Sequence, residues 1–287
     1  MPLRLGFQIS YRLAQPTPMV AMLDIHDSHA DRVIARLAPR TSPQLPLHRY
    51  RDRFGNTCTR LLAPAGLLVL HGEALVDAAA GHERARPAPV VRADTPAPAQ
   101  ATTPFLQASR YCPLAPLLRD AHLRFGDLPS DRLRVQTVCA HVARILEYAP
   151  DHADCSRTAL AVLQEGTGAC RDFAHVAIAL CRCLGIPARY CSGYPEVVSD
   201  ATARAAGFSA WFEAWIDGRW QAFDPRLGGA CPARVPVARG RDAADTATSC
   251  GFGPCEPEQV EVWASAGIRP ARVDEGPAHA HPLALAC

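Results

Sequence analysis

Gly166-Thr-Gly-Ala-Cys170-Arg-Asp-Phe-Ala-His175-Val-Ala-Ile-Ala-Leu180-Cys-Arg-Cys-Leu-Gly185-Ile-Pro187 decides how the chain folds. Two glycines approach a cysteine, an apolar run follows, and Gly185 with Pro187 closes it, which predicts a helix opening at Cys170. A thiol in the first turn of a helix faces unpaired backbone N–H groups and the positive end of the macrodipole, both of which favour thiolate over thiol. Cys170 is therefore a candidate nucleophile. The other cysteines read as small buried apolar residues, the usual fate of a free thiol.

Composition narrows the setting of that helix. With 287 residues, 48% hydrophobic and 20% charged, the chain can bury a sizeable core as two domains or as one with an appendage. The net charge is +2 and no basic run occurs, so neither nucleic acid nor an anionic membrane is an expected partner. Every basic residue is arginine, so no lysine is present to serve as a Schiff-base or general-base group. The first ten residues alternate and lack a signal-peptide profile. No stretch approaches the roughly 18 consecutive apolar residues of a membrane span, and a cytoplasmic location is expected. The twelve cysteines show no repeated CxxC, so neither a zinc site nor a disulfide framework is expected. His279, His281 and Cys287 are too loosely arranged for a metal site, and no cofactor is expected.

Leu3, Leu5, Phe7, Ile9, Tyr11 and Leu13 fall on one face at period two, which predicts a half-buried strand. Val20 to Ile25 and Leu67 to Val76 predict two more, and His48 to Leu62 a hairpin turning at Gly55 and Asn56. Residues 1–85 are thus expected to form an antiparallel β domain and residues 86–110, rich in Pro and Ala, a partly extended linker. Pro129-Ser130-Asp131 predicts a helix start, followed by an apolar stripe at Leu133, Val135, Val138, Val142, Ile145 and Leu146. Ser156 is expected to cap a short helix running to Leu163. The core is expected over 111–255 and a C-terminal extension over 256–287, with one strand and a poorly ordered last ~15 residues.

After Pro187 the pattern becomes strands. Phe208-Ser-Ala-Trp-Phe-Glu-Ala-Trp-Ile216, Asp217-Gly218 and Arg219-Trp-Gln-Ala-Phe-Asp224 predict a hairpin with a two-residue type I′ turn. That turn pairs Ile216 with Arg219, so Trp211 falls opposite Asp224 and Ser209 opposite Arg226. Ser209 and Asp224 are then diagonal neighbours on one face, roughly 7–8 Å apart. Trp211, Trp215, Trp220 and Phe223 read as packing of the hairpin, and Asp172 and Glu213 as solvated or structural charges.

The Gly168-Ala-Cys170-Arg-Asp-Phe-Ala motif, the Phe208–Trp215 strand and Gly218-Arg-Trp-Gln-Ala-Phe-Asp224-Pro together resemble the bacterial transglutaminase-like superfamily, in its subgroup similar to cysteine proteases. The match covers about residues 130 to 226. Phe54-Gly-Asn-Thr-Cys-Thr-Arg-Leu and Ala238-Arg-Gly-Arg-Asp-Ala-Ala-Asp also resemble that subgroup, whose members carry an N-terminal β domain. The resemblance implies a papain-like α+β core in which a helix-start cysteine packs on an antiparallel sheet. It further implies that Cys170 is the nucleophile, Asp224 the orienting carboxylate, and position 209 the place of the histidine, which here is Ser209.

Serine titrates far from neutrality and can neither take the thiol proton nor return it to a leaving amine, a role worth about 10²–10⁴-fold. His175, five residues beyond Cys170, points about 140° around the helix from it, and His141 and His152 lie at distances the sequence does not give. The expected chemistry is acyl transfer on a peptide or carboxamide through a Cys170 thioester, with a peptide or protein as substrate and with hydrolysis, deamidation and crosslinking left open. Two other readings stand beside it. One is an impaired module that binds a peptide or protein partner, marked by Ser209. The other is a scaffold core serving recognition by the β domain.

Overall fold

The computed structural model describes residues 2–77, 99–152, 154–195, 205, 207–232, 234–255 and 257–266. The architecture is α+β. The first strand, β1 (Pro2–Leu13), buries Leu5, Phe7, Ile9, Tyr11 and Leu13 to 2% exposure or less, as period two requires. It is followed by β2 (Thr17–Ala21), β3 (Val33–Ser42), β4 (His48–Arg51), β5 (Thr57–Ala63) and β6 (Gly66–Asp77). Two four-stranded sheets result, β14-β1-β6-β3 and β13-β2-β5-β4, where β13 is Ser249–Gly251 and β14 is Pro257–Ala266.

Sequence periodicity located β1, the β4–β5 hairpin and β6, but placed the second strand three residues late and missed β3. Residues 34–38 of β3 are all exposed, so no apolar alternation marks the strand. The C-terminal segment proves to be structural: β14 pairs antiparallel with β1 along nearly its whole length, from Leu3↔Ala266 to Tyr11↔Pro257. A seam joining the two ends of the chain is not visible to local pattern. Residues 267–287 and 78–98 lie outside the described residues. The part of the expected linker that is described is folded, through α1 (Ala99–Thr102) and a 3₁₀ turn at Thr103–Phe105. It is fastened by Arg182, whose Nη1 donates to the Gln107 carbonyl and Ser109 Oγ.

In the second half α5 (Cys170–Cys183) packs against a sheet of order β11-β10-β9-β12, and α2 (Leu118–Phe125), α3 (Asp131–Ile145) and α4 (Ala159–Glu165) pack around α5. Here β9 is Ala188–Gly193, β10 Ser209–Ile216, β11 Arg219–Phe223 and β12 Pro236–Gly240. Ser130 Oγ caps α3 by accepting from the Leu133 N–H. For α4 the cap is Thr158, not Ser156; Ser156 instead binds Asp154 Oδ1. Every residue of α5 from Arg171 to Cys183 is buried, because α3 and α4 cover one side and β10 the other.

Asn56 and Glu213 join the two halves. Asn56, fully buried, donates to Asp52 Oδ2 and to the Arg239 carbonyl, and accepts from the Arg239 N–H. The Arg239 side chain reaches Glu213 Oε1 at 2.9 Å on β10 and Ser28 Oγ at 2.7 Å. The two short segments singled out by resemblance, around Asn56 and Arg239, therefore meet in space.

Candidate active site

The thiol of Cys170 is placed by the approach to α5. Thr167–Gly168 forms β8, which runs parallel to β7 (Glu147–Tyr148) and pairs Tyr148 with Gly168. Asp172 reaches back to accept the Ala169 N–H at 2.9 Å and is itself held by Arg157 Nη2 at 2.9 Å. A Cβ on Gly168 would stand 2.7 Å from the Asp172 Cβ, so the glycine is what lets the chain turn tightly into the helix. Asp172 is a buried positioning group for the helix start, one of the structural charges.

Cys170 lies partly exposed at the first position of α5. Burial pushes its thiol up from the ordinary value. Opposing that are the Arg226 charge and the backbone N–H groups of Ala210 and Arg171. The helix-start effect expected from sequence is present in the Arg171 N–H, but desolvation outweighs it and the net shift is upward.

The β10–β11 hairpin has the register predicted from its turn. Ile216 pairs with Arg219 and Phe212 with Phe223, and Asp217 and Gly218 have φ of 53° and 75°, as a type I′ turn demands. The ladder stops at Phe223, so Arg226 does not pair across from Ser209. Asp224 instead caps a 3₁₀ turn at Pro225–Leu227, with Oδ1 accepting the Arg226 N–H at 3.0 Å.

Ser209 and Asp224 are brought together, but by an arginine. Arg234 donates from Nη1 to Ser209 Oγ at 2.7 Å and from Nη2 to Asp224 Oδ2 at 2.6 Å. Arg226 grips the same carboxylate, Nε to Oδ1 at 3.1 Å and Nη2 to Oδ2 at 2.6 Å. Asp224 is fully buried and Arg234 nearly so. The space between Ser209 and Asp224 is thus filled by the Arg234 guanidinium. Two permanent cations on one carboxylate leave the site with a surplus positive charge beside the thiol.

Sequence reasoning passed over Arg234 and Tyr148 and treated Arg226 only as a face-mate of Asp224. Arg234 comes from the loop after the 3₁₀ turn and Tyr148 from a two-residue strand; neither belongs to a periodic pattern. Tyr148 is 49% exposed, its ring edge-on to Phe173 at 6.1 Å, with the Arg226 guanidinium 5.5 Å from its centroid.

Neither His175 nor His141 takes the place of an imidazole at Ser209. His175 is fully buried between Tyr111 and Tyr190, and its Nε2 accepts the Ala243 N–H at 3.1 Å. Burial and the Arg171 and Arg182 charges hold it well below the usual histidine value. His141 on α3 stands edge-on to Phe125. Among the described residues no group of three or more His, Cys, Asp or Glu side chains is arranged to hold a metal.

Residues 124–225 match the model of the transglutaminase-like superfamily. An uncharacterized protein of Mycobacterium leprae is 30% identical over 151 residues; the match covers 51% of this chain and spans about half, 54%, of that relative. The crystal structure of a candidate cysteine protease from Cytophaga hutchinsonii superposes with a TM-score of 0.77 at 27% identity, covering 96% of this chain and 94% of that one. A more distant likeness, with a TM-score of 0.40 and 13% identity, covers 78% of this chain and 88% of the periplasmic domain of TgpA from Pseudomonas aeruginosa.

Proposed function

We propose, from the match of residues 124–225 to the transglutaminase-like superfamily, that the chain is a thiol acyl-transfer enzyme, a cysteine peptidase or amidase working through Cys170. The observation that carries this reading is the Cys170 thiol at the start of α5, with the N–H groups of Ala210 and Arg171 and the Arg226 charge around it. Those groups stabilise a thiolate as it forms, and the same N–H groups suit the oxyanion of a tetrahedral intermediate. Cys170 attacks a peptide or carboxamide carbonyl, the amine departs, and water or a second amine resolves the thioester. Asp224, rather than orienting an imidazole, anchors Arg226 and Arg234.

The substrate is proposed to be a peptide or protein and the location cytoplasmic. The free state of every described cysteine is in keeping with a reducing compartment. No helix among the described residues is long and apolar enough to cross a membrane. Release of amine or ammonia from a panel of peptides and peptide amides tests the activity. Cys170→Ala should abolish turnover, and equal rates in wild type and variant would contradict the proposal.

A second reading is favoured by the double arginine clamp on Asp224. With the carboxylate committed and the thiol raised, the site suits binding of an acidic peptide without turnover. Saturable binding of such a peptide by both wild type and Cys170→Ala, with no turnover by either, would favour it.

A further inference from the structure

Resting on the acyl-transfer reading, we propose that the phenol of Tyr148 is the proton donor to the leaving group, in the role an imidazole would otherwise fill. Amide cleavage needs such a donor, because an amine leaves a tetrahedral intermediate only as its nitrogen is protonated.

The described side chains around the thiol leave few candidates. Arg226 and Arg234 do not release protons at working pH. Asp224 has both oxygens bound by guanidinium groups, and Asp172 is tied to Arg157 and the Ala169 N–H. His175 is neutral, fully buried and stacked between two tyrosines. Tyr190 is 1% exposed and closed off beneath His175.

Among the described residues Tyr148, 49% exposed, combines a titratable proton with open access to solvent, whereas the Cys231 thiol beside Arg234 is only partly exposed. The pairing of β7 with β8 sets Tyr148 opposite Gly168, two residues before the nucleophile, and its ring is braced by Phe173 on one turn of α5. Arg226 links it to the rest of the site, since one guanidinium grips Asp224 and lies 5.5 Å from the tyrosine ring. Burial and the neighbouring Cys170 raise the phenol above its ordinary value while Arg226 opposes them. The hydroxyl therefore keeps its proton through the neutral range.

The cycle balances without a further reagent. The Cys170 thiol first gives its proton to bulk solvent, and the thiolate adds to the carbonyl carbon, forming the C–S bond and moving the π pair to oxygen. As the C–O double bond reforms, the C–N bond breaks with its pair on nitrogen, and the Tyr148 proton passes to that nitrogen. Water then attacks the thioester, giving its proton to the phenolate and its hydroxyl to the acyl carbon, and the C–S pair returns to sulfur.

Leaving-group dependence in Tyr148→Phe, which keeps the ring and its packing, tests the assignment. A peptide anilide requires nitrogen protonation, whereas the matching 4-nitrophenyl ester does not. The expected result is about a 100-fold fall in kcat/KM on the anilide, an ester rate within about twofold of wild type, and an unchanged rate of Cys170 alkylation. Three results would overturn the proposal: an unchanged anilide rate; equal losses on anilide and ester, which indicate oxyanion contact or packing; or a wild type that turns over ester but not anilide. If wild-type Cys170 accepts no acyl group from either donor, the acyl-transfer reading itself falls, and the proton donor with it.

Discussion

At Asp224 the charge balance of the site is set. Its carboxylate holds two guanidinium groups, at 2.6 Å from each of their Nη2 atoms. Ser209→His alone should therefore give no gain in acylation rate or in alkylation of Cys170, because Arg234 already occupies the aspartate. Ser209→His combined with Arg234→Ala should raise both, by about tenfold or more if the imidazole reaches the thiol. An equal gain from the single variant would show that Arg234 yields the position freely. That Cys170 opens α5 and that Ser209 and Asp224 lie near each other was legible in the sequence, from the bracketing glycines and the two-residue turn. The arginines were not, since a loop residue ten positions beyond Asp224 obeys no period.

The β10–β11 hairpin, at the scale of elements, converts local turn chemistry into site geometry. Both turn residues have positive φ, and their type I′ twist sets the pairing that carries Ser209 and Asp224 to the same end of the sheet. Gly218→Ala puts a Cβ in the left-handed region and should cost about 1 kcal/mol, read as a lower urea midpoint. An unchanged midpoint would mean that the turn relaxes without cost. Helix α5 was legible almost to the residue, since glycines and Pro187 bracket an apolar run. Strand β3 was not, because its exposed face carries no alternation, and the Ser156 cap gave way to Thr158, whose hydroxyl accepts the Ala161 N–H.

On the scale of the whole molecule, β14 closes the N-terminal sheet, and Asn56, Arg239 and Glu213 lock that sheet unit to the half that carries Cys170. His26, in the same junction, is pushed down to about 4 by burial and by the Arg239 and Arg189 charges, and His175 lies well below its usual value through burial. Both are neutral when folded, so the unfolded chain binds more protons below the ordinary histidine value of about 6.5. Stability should be fully present above that pH and fall as the pH drops towards about 4, read as a declining urea midpoint, with a shallower decline in His26→Gln. A midpoint flat from pH 7 to 4 would contradict these assignments. Long-range closure of this kind was illegible locally, whereas the β1 alternation that receives β14 was plain.

The most direct test of the whole account is peptide-mapped mass spectrometry of the protein mixed briefly with an activated acyl ester and quenched in acid. The account predicts a hydroxylamine-labile acyl group on Cys170, accumulating faster than on the more exposed Cys155 and Cys250 and faster as the pH rises, in keeping with a raised thiol. Acyl groups confined to Cys155 and Cys250, with Cys170 unmodified, would contradict it.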